Sequence, residues 1–265
     1  MPQISLNCSS FVGQQAHYQA NWPESVSGVN QYYQPLETFG VRFDAMLAEV
    51  VKFGFDAVDI WTAGQLNWAW ATPDHIKIAR DLLVQRQVQV ASLGGEFGET
   101  RSEFESACRM AVGVGTSLLS GTLPLLFEDR DYVIKQLRGY RLQLAIENHP
   151  ESHPGEMLDK IGGGADGLIG TTVDTGWYAT RGYDAARAIA DLKDHLLHVH
   201  LKDVLAGDAH INCGYGKGIV DIQRCLTTLK AIGFEGDISV ENHTTDHDPS
   251  DELRIGLKMV AQAFA

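Results

Sequence analysis

The stretch Leu144-Ala145-Ile146-Glu147-Asn148-His149-Pro150 reads as a buried apolar strand that stops at a carboxylate. The same grammar returns three more times, in Gly170-Thr171-Thr172-Val173-Asp174, Leu196-Leu197-His198-Val199-His200 and Asp237-Ile238-Ser239-Val240-Glu241. Each is a short β-branched or aliphatic run ending in a residue that can bind a hard metal ion. Such runs, separated by helical patterns, are the mark of a parallel sheet. When eight of them close into a barrel, all the strand ends meet at one face, and that face carries the active site. The expectation is that Glu147, Asp174, His200 and Glu241 converge there on one divalent metal.

Outward from this stretch, the remaining strands fall over 4–8, 55–61, 88–93 and 116–120, and the four later ones over 142–147, 168–174, 196–201 and 235–241. Helical spacing predicts helices over 43–53, 72–87, 102–112, 128–137, 154–161, 185–192, 221–232 and 249–264. Gly54 is placed to cap the first of these, and Thr72-Pro73 reads as an N-cap followed by proline at the first helical position. About eight strand–helix pairs make a (β/α)8 TIM barrel that takes residues 1–265 as a single α/β domain. One stretch departs from the pattern: 13–40 is polar and dotted with His17, Tyr18, Trp22, Tyr32 and Tyr33. Read as a long loop after strand 1, it lies on the catalytic face and is a candidate lid. The plainer alternative is a surface elaboration or an oligomer contact, and a homo-oligomer is left open.

Composition narrows the function class. The chain has 265 residues, 44% hydrophobic and 21% charged, and a net charge of −13. An acidic chain repels nucleic acid and anionic membrane surfaces, so neither is an expected partner. Cys8, Cys108, Cys213 and Cys225 show no CxxC spacing and read as reduced thiols of a cytoplasmic protein. No apolar run is long enough to span a membrane, and the N-terminus has no signal-peptide pattern.

Three carboxylates and one imidazole make a mostly oxygen-donor set, which favours Mn2+ or Mg2+, with Co2+ or Zn2+ as alternatives. Residues two apart in a strand share a face. Glu147 therefore points with His149, Glu241 with His243, and His200 with His198 and Lys202. The plainer reading is that the glutamates are salt-bridged strand caps and His200 a satisfied core histidine. Trp61, Trp68, Trp70 and Trp177 are candidates to stack on a sugar ring, against a plainer role in the core.

Ile-Glu-Asn-His at Glu147, Val-Asp-Thr-Gly at Asp174, His-Val-His-Leu-Lys-Asp at His200 and Ser-Val-Glu-Asn at Glu241 together resemble the xylose-isomerase-like barrel superfamily of sugar isomerases, epimerases and dehydratases. The run Gly214-Tyr215-Gly216-Lys217-Gly218-Ile219-Val220-Asp221 resembles that family's glycine-rich turn into a late helix. The resemblance implies a metal held by Glu147, Asp174, His200 and Glu241, with the two glutamates moving protons. A divalent ion, Mn2+ foremost, acidifies the carbon beside a sugar carbonyl and stabilises the enediolate, while a carboxylate on each side transfers the proton. His149 is an added acid or base, or else a donor to a ligand carboxylate. The substrate-contact candidates are Lys202, Trp177, His153 and His243. Trp177, His153 and Ala206 stand where ketohexose 3-epimerases carry a histidine, a glutamate and an arginine, which sets this chain apart from that activity. The Lys202-Asp203 pair is similar to inosose dehydratases.

The leading expectation is a metal-dependent isomerase or epimerase acting on a keto sugar or related polyol, a small carbohydrate. The alternative is a lyase on the same chemistry, dehydrating an inosose or eliminating from a 3-keto glycoside. A remoter one is a phosphodiesterase similar to apurinic endonucleases, which needs several more histidine ligands and a basic groove. Lys217 lies in a glycine-rich loop whose amides could meet a phosphate. A turn into the following helix is the preferred reading of that loop.

Overall fold

The computed structural model describes residues 1–207 and 210–265. Eight parallel strands close in sequence order into one barrel: β1 (Gln3–Asn7), β2 (Ala57–Trp61), β3 (Gln89–Glu96), β4 (Leu118–Thr122), β5 (Gln143–Glu147), β6 (Ile169–Asp174), β7 (Leu196–Leu201) and β8 (Asp237–Val240). The helices α1 (Trp22–Tyr33), α2 (Leu36–Phe53), α3 (Pro73–Arg86), α4 (Arg101–Val114), α5 (Leu125–Glu128), α6 (Arg130–Tyr140), α7 (Pro154–Ile161), α8 (Thr175–Thr180), α9 (Ala185–Asp191), α10 (Ile222–Ala231) and α11 (Ser250–Phe264) lie between and after them. The (β/α)8 barrel expected from the strand grammar is the fold of this chain.

Local chemistry sets the boundaries. Thr72 caps α3 by accepting the His75 amide, and the His75 ring returns the contact to the Thr72 amide. Thr100 and Glu103 form the same reciprocal box on α4. Gly54 ends α2 at φ 100°, a left-handed turn that a side chain would strain.

The long connection after β1 differs from a plain loop. It winds as two 3-10 turns, Cys8–Phe11 and Gln14–Ala16, and then as α1, which Asn21 caps by accepting the Glu24 amide. Polar residues and Pro23 hid this helix, yet proline is well tolerated in a first turn. α2 likewise starts seven residues before the expected 43, at Leu36. A second unexpected helix, α8, starts directly after Asp174, whose side chain accepts the Trp177 amide at 2.9 Å.

The strands are not uniformly apolar. Their alternate residues divide between two environments. Leu6, Val58, Ile60, Leu93, Leu119, Val173, Val199 and Ile238 are fully buried and belong to the hydrophobic core. The other set meets inside the barrel and is polar: Ser5 donates to Asp237 at 2.6 Å, Ser120 and Thr172 hydroxyls lie 2.7 Å apart, and Ser92 lies 3.5 Å from His198. Barrel interiors are more often filled with branched apolar side chains. Here a hydrogen-bonded network fills the same space, which buried polar groups require. Glycine opens it near the top of β3 and β4, where a Cβ on Gly121 would collide with the Gly95 carbonyl oxygen.

Candidate functional site

Four strand ends bring their ionisable groups to one place. Glu147 and Asp174 are the last residues of β5 and β6, His200 is the penultimate residue of β7, and Glu241 directly follows β8. His200 Nδ1 lies 3.0 Å from Glu147 Oε1 and 3.4 Å from Glu241 Oε2. Lys202, two residues on and on the same face, is buried and bridges Asp174 Oδ2 at 2.8 Å and Glu241 Oε1 at 2.9 Å. Burial pushes both carboxyls up, but the Lys202 ammonium outweighs it and holds Asp174 and Glu241 below the ordinary carboxylate range. Burial disfavours the charged lysine, yet those carboxylates raise its pKa. The set therefore carries more negative than positive charge although most of it is removed from water, which a further cation would offset.

Donor atoms of Glu147, Asp174 and His200 lie within 4.8 Å of one another. Glu241 Oε2 is buried with no hydrogen-bond partner while it faces His200 Nδ1. Such an oxygen is costly unless something binds it. Three carboxylates, one of them with an orphaned oxygen, and one imidazole suit a hard divalent cation, so the residues fit the metal that the strand grammar implied.

The other nitrogen of His200 is also held. Nε2 lies 2.9 Å from Oδ2 of Asp59, a fully buried residue of β2. Burial alone would raise the Asp59 carboxyl, but hydrogen bonds from His198 and His200 hold it well below the ordinary range. An ionised carboxylate only accepts, so Nε2 donates to Asp59 and Nδ1 is the nitrogen turned to Glu147 and Glu241; burial opposes the charged ring, but these carboxylates outweigh it and hold His200 well above the ordinary imidazole range. Asn7 donates to the same Asp59 oxygen at 3.2 Å.

The surrounding backbone is tied down by side chains of the same region. Asn148 bridges β5 to β6: its Oδ1 accepts the Asp174 amide at 2.7 Å and its Nδ2 donates to the Asp174 carbonyl at 3.1 Å. The Tyr215 hydroxyl lies 2.7 Å from the Leu201 carbonyl and accepts the Glu241 amide at 2.9 Å. Asp203 accepts the amides of Gly216, Gly218 and Val220 at 2.9, 3.0 and 3.1 Å. The glycine-rich loop therefore wraps a carboxylate of its own chain, and a Cβ at Gly218 would strike that carboxylate.

A cavity of about 200 Å³ opens above these groups, lined among others by Asn7, Ser9, Trp61, Glu147, His200, Lys202 and Glu241. A second, of about 470 Å³, adjoins it and shares Trp22, His149, Trp177 and His243 with it. Rings of the two walls touch in series. His149 and Trp177 centroids are 4.2 Å apart, Trp177 and His210 stack at 3.7 Å, His210 and His243 stand at 6.2 Å, His243 and Trp22 at 4.6 Å, and Trp22 and Trp61 at 5.9 Å. Burial pushes His210 down to about 3, so it is a neutral ring. Burial and the Lys202 charge push His243 down as well, and its Nδ1 donates to Glu241 at 2.7 Å.

Of the residues singled out in the sequence, Glu147, His149, Trp177, His200, Lys202, Glu241 and His243 line the inner cavity. Asp174 lies beneath it, against Lys202. His149 is exposed at the mouth. His153 is elsewhere: it precedes α7, its side chain is 53% exposed, and it lies 3.4 Å from Glu156. Trp22 of the 13–40 segment reaches the cavity, whereas Tyr32 packs on Tyr33 and under Arg42. Trp68 and Trp70 line neither compartment. Trp68 donates to the Glu96 carbonyl, and Trp70 packs on Phe39 and His75. Lys217 is largely exposed and 3.6 Å from Glu252. Sequence reading missed Asp59, Asn7, Ser9 and His210. For Asp59 a signal existed: it stands alone among Ala57, Val58 and Ile60, where an unpaired charge would be expensive.

Comparison with known proteins agrees with this architecture. A model of the xylose isomerase-like TIM barrel family matches residues 47–263. The L-ribulose-5-phosphate 3-epimerase UlaE of Escherichia coli is 38% identical over 60 residues, 22% of this chain and 21% of that protein's own length. The D-allulose 3-epimerase of a Methylomonas species has the same fold at 17% identity, with a TM-score of 0.68, over 99% of this chain and 98% of that one. The IolI protein, crystallised with a bound zinc atom, superposes with a TM-score of 0.68 at 15% identity over 99% of both chains.

Proposed function

The chain belongs to the xylose isomerase-like TIM barrel family, and from that premise we propose that it is a divalent-metal-dependent isomerase or epimerase of a keto sugar or related polyol. The carrying observation is that the Glu147 and Glu241 carboxylates approach His200 Nδ1 at 3.0 and 3.4 Å, at the base of a cavity with room for a ligand above them. Glu147, Asp174, His200 and Glu241 would hold the cation. It would supply Lewis-acid polarisation of the substrate's carbonyl and hydroxyl oxygens.

The protein's own groups do the rest. One of the two glutamates takes the proton from the carbon beside the carbonyl, and the other returns a proton to the neighbouring carbon or to the opposite face. Lys202 keeps Glu241 ionised and ready to accept. Asp59 holds the proton on His200 Nε2 and so fixes which nitrogen faces the cation. His149, at the mouth beside Trp177, is placed to exchange protons with solvent or with a substrate hydroxyl. The relatives' names support epimerisation of a ketose, while the phosphate of the ribulose relative's substrate is not carried over to this chain. We place the protein in the cytoplasm and give it Mn2+ as working metal, on its buried free thiols and its oxygen-rich donor set.

The test is proton exchange. Protein loaded with Mn2+ is incubated in D2O with keto sugars, inososes and 3-keto glycosides, and products are read by NMR. Deuterium at the carbon beside the carbonyl of a recovered epimer or isomer is the expected result, lost on chelation and restored by metal. A dehydrated or cleaved product moves the assignment to a lyase. No metal-dependent exchange or elimination on any substrate sinks it.

A further inference from the structure

The cavity has two chemically different compartments. The inner one, about 200 Å³, holds every ionisable group of the cluster that reaches the surface. Alone it is smaller than the roughly 300–1,000 Å³ of most small-molecule sites. The outer one, about 470 Å³, is bounded by Trp22, His149, Trp177, His210 and His243 with Asn212 among its polar walls. A ligand anchored at the strand ends and no bigger than the inner compartment would leave this larger aromatic space unused.

Two residues that line the outer compartment each carry a buried polar atom left unpaired. Asn212 Oδ1 and His210 Nε2 are both buried, and among the described residues neither has a hydrogen-bond partner. Their other polar atoms are spent: Asn212 Nδ2 donates to the His243 carbonyl at 3.0 Å, and His210 Nδ1 meets the Thr180 hydroxyl at 2.8 Å. The side chains are thus held in place with one free atom each, an acceptor and a ring nitrogen. Unsatisfied buried atoms of this kind are costly, and a ligand hydroxyl that reached them would relieve that cost. Aromatic walls together with hydroxyl-seeking atoms are what a sugar ring demands, with its apolar C–H faces and polar edge.

Charge separates the candidate ligands. Among the described residues lining either compartment, Lys202 is the one Lys or Arg, and it is committed to Asp174 and Glu241. The glycine-rich loop, the other place where a phosphate could find amides, has those amides on Asp203. A phosphate dianion entering here would meet carboxylates and neutral rings. Recognition of phosphate elsewhere rests on Arg, Lys or free backbone amides.

We infer that the outer compartment is a subsite for a second, uncharged sugar ring, so that the substrate is a neutral keto-terminated glycoside or disaccharide. This rests on the reading that the inner compartment handles the keto end, and it adds what lies beyond that end.

The experiment is isothermal titration of Mn2+-loaded protein with ligands matched at one oxygen. D-fructose carries a hydroxyl at position 6, D-fructose 6-phosphate a phosphate, and isomaltulose a glucosyl ring. Lactulose offers a second linkage, at position 4. At least one disaccharide should bind roughly tenfold or more tightly than fructose, and the phosphate ester should gain nothing. Asn212→Ala and His210→Ala should each lower the disaccharide-to-fructose affinity ratio by about tenfold. The inference is overturned if neither disaccharide outbinds fructose, or if the phosphate ester binds more tightly than both. The wild-type series decides this even if a variant fails to fold. Binding is read without turnover, so the outcome is separate from proton exchange. Exchange on fructose with no preference for disaccharides would leave the proposed function standing and remove this subsite.

Discussion

The two halves of the barrel meet the cavity with opposite chemistry. β5 to β8 bring Glu147, Asp174, His200 and Glu241 to the site, and each ends a short apolar run. β1 to β4 present Asn7, Trp61, Gly94, Gly95 and Thr122, none of them charged. The second half supplies the ionisable groups, while the first supplies floor, wall and opening. One residue crosses the division: Asp59, from β2, reaches under the cavity to His200. The comparison teaches that ionisable groups need not be spread around a barrel mouth. Clustered on one side, they share one lysine, and the other side stays free to shape the cavity.

The largest expected effect comes from breaking the charged half. Glu147→Gln and Glu241→Gln should each slow substrate proton exchange by about 10²–10⁴-fold, the usual contribution of a positioned acid or base. Neither change alters shape, so circular dichroism should stay native. Exchange at the wild-type rate in either variant, with metal still bound, would show that the charged half is not where the proton moves.

Asp59 sharpens the comparison, because it is the neutral half's single charged contribution to the site. Asp59→Asn should weaken metal binding by about 10–100-fold, as loss of a carboxylate behind a ligating histidine does elsewhere. Competition with a chromogenic chelator measures this directly. Unchanged affinity would mean that Asp59 serves only the buried network with His198. Trp22→Ala probes the neutral wall and should have the smallest effect. Losing an aromatic contact worth about 0.5–1.5 kcal/mol raises KM roughly two- to tenfold and leaves kcat near its starting value. A large fall in kcat would instead give Trp22 a part in the chemistry.

What was legible in the sequence follows the same division. Four apolar runs, each stopped by a carboxylate or an imidazole, announce both the barrel and its charged half, because an ionisable group at the end of a buried strand needs a partner. The neutral half carries no such mark. Asn7, Ser9 and Thr122 are ordinary residues until barrel closure brings them to the cavity. Asp59 and His200 are 141 residues apart, so nothing local links them. α1 was hidden because its sequence is polar and only Ser25, Val29 and Tyr33 are buried, too weak a stripe to declare a helix. His153 stood at a suggestive distance from Glu147, but the chain turns away at Pro154 to start α7 and leaves the side chain facing solvent.

The bonds around Asp203 and Tyr215 bear on how the site breathes. Three loop amides converge on one carboxylate, and the same loop carries the hydroxyl that grips the Glu241 amide. Opening this loop means breaking all of these together. The amides of Gly216, Gly218, Val220 and Glu241 should therefore exchange with deuterium as one slow cooperative unit. α1, which reaches the mouth through Trp22, 40% exposed, should exchange faster than this unit. A wall that opens faster than this loop would admit a ligand without moving Glu241 out of register.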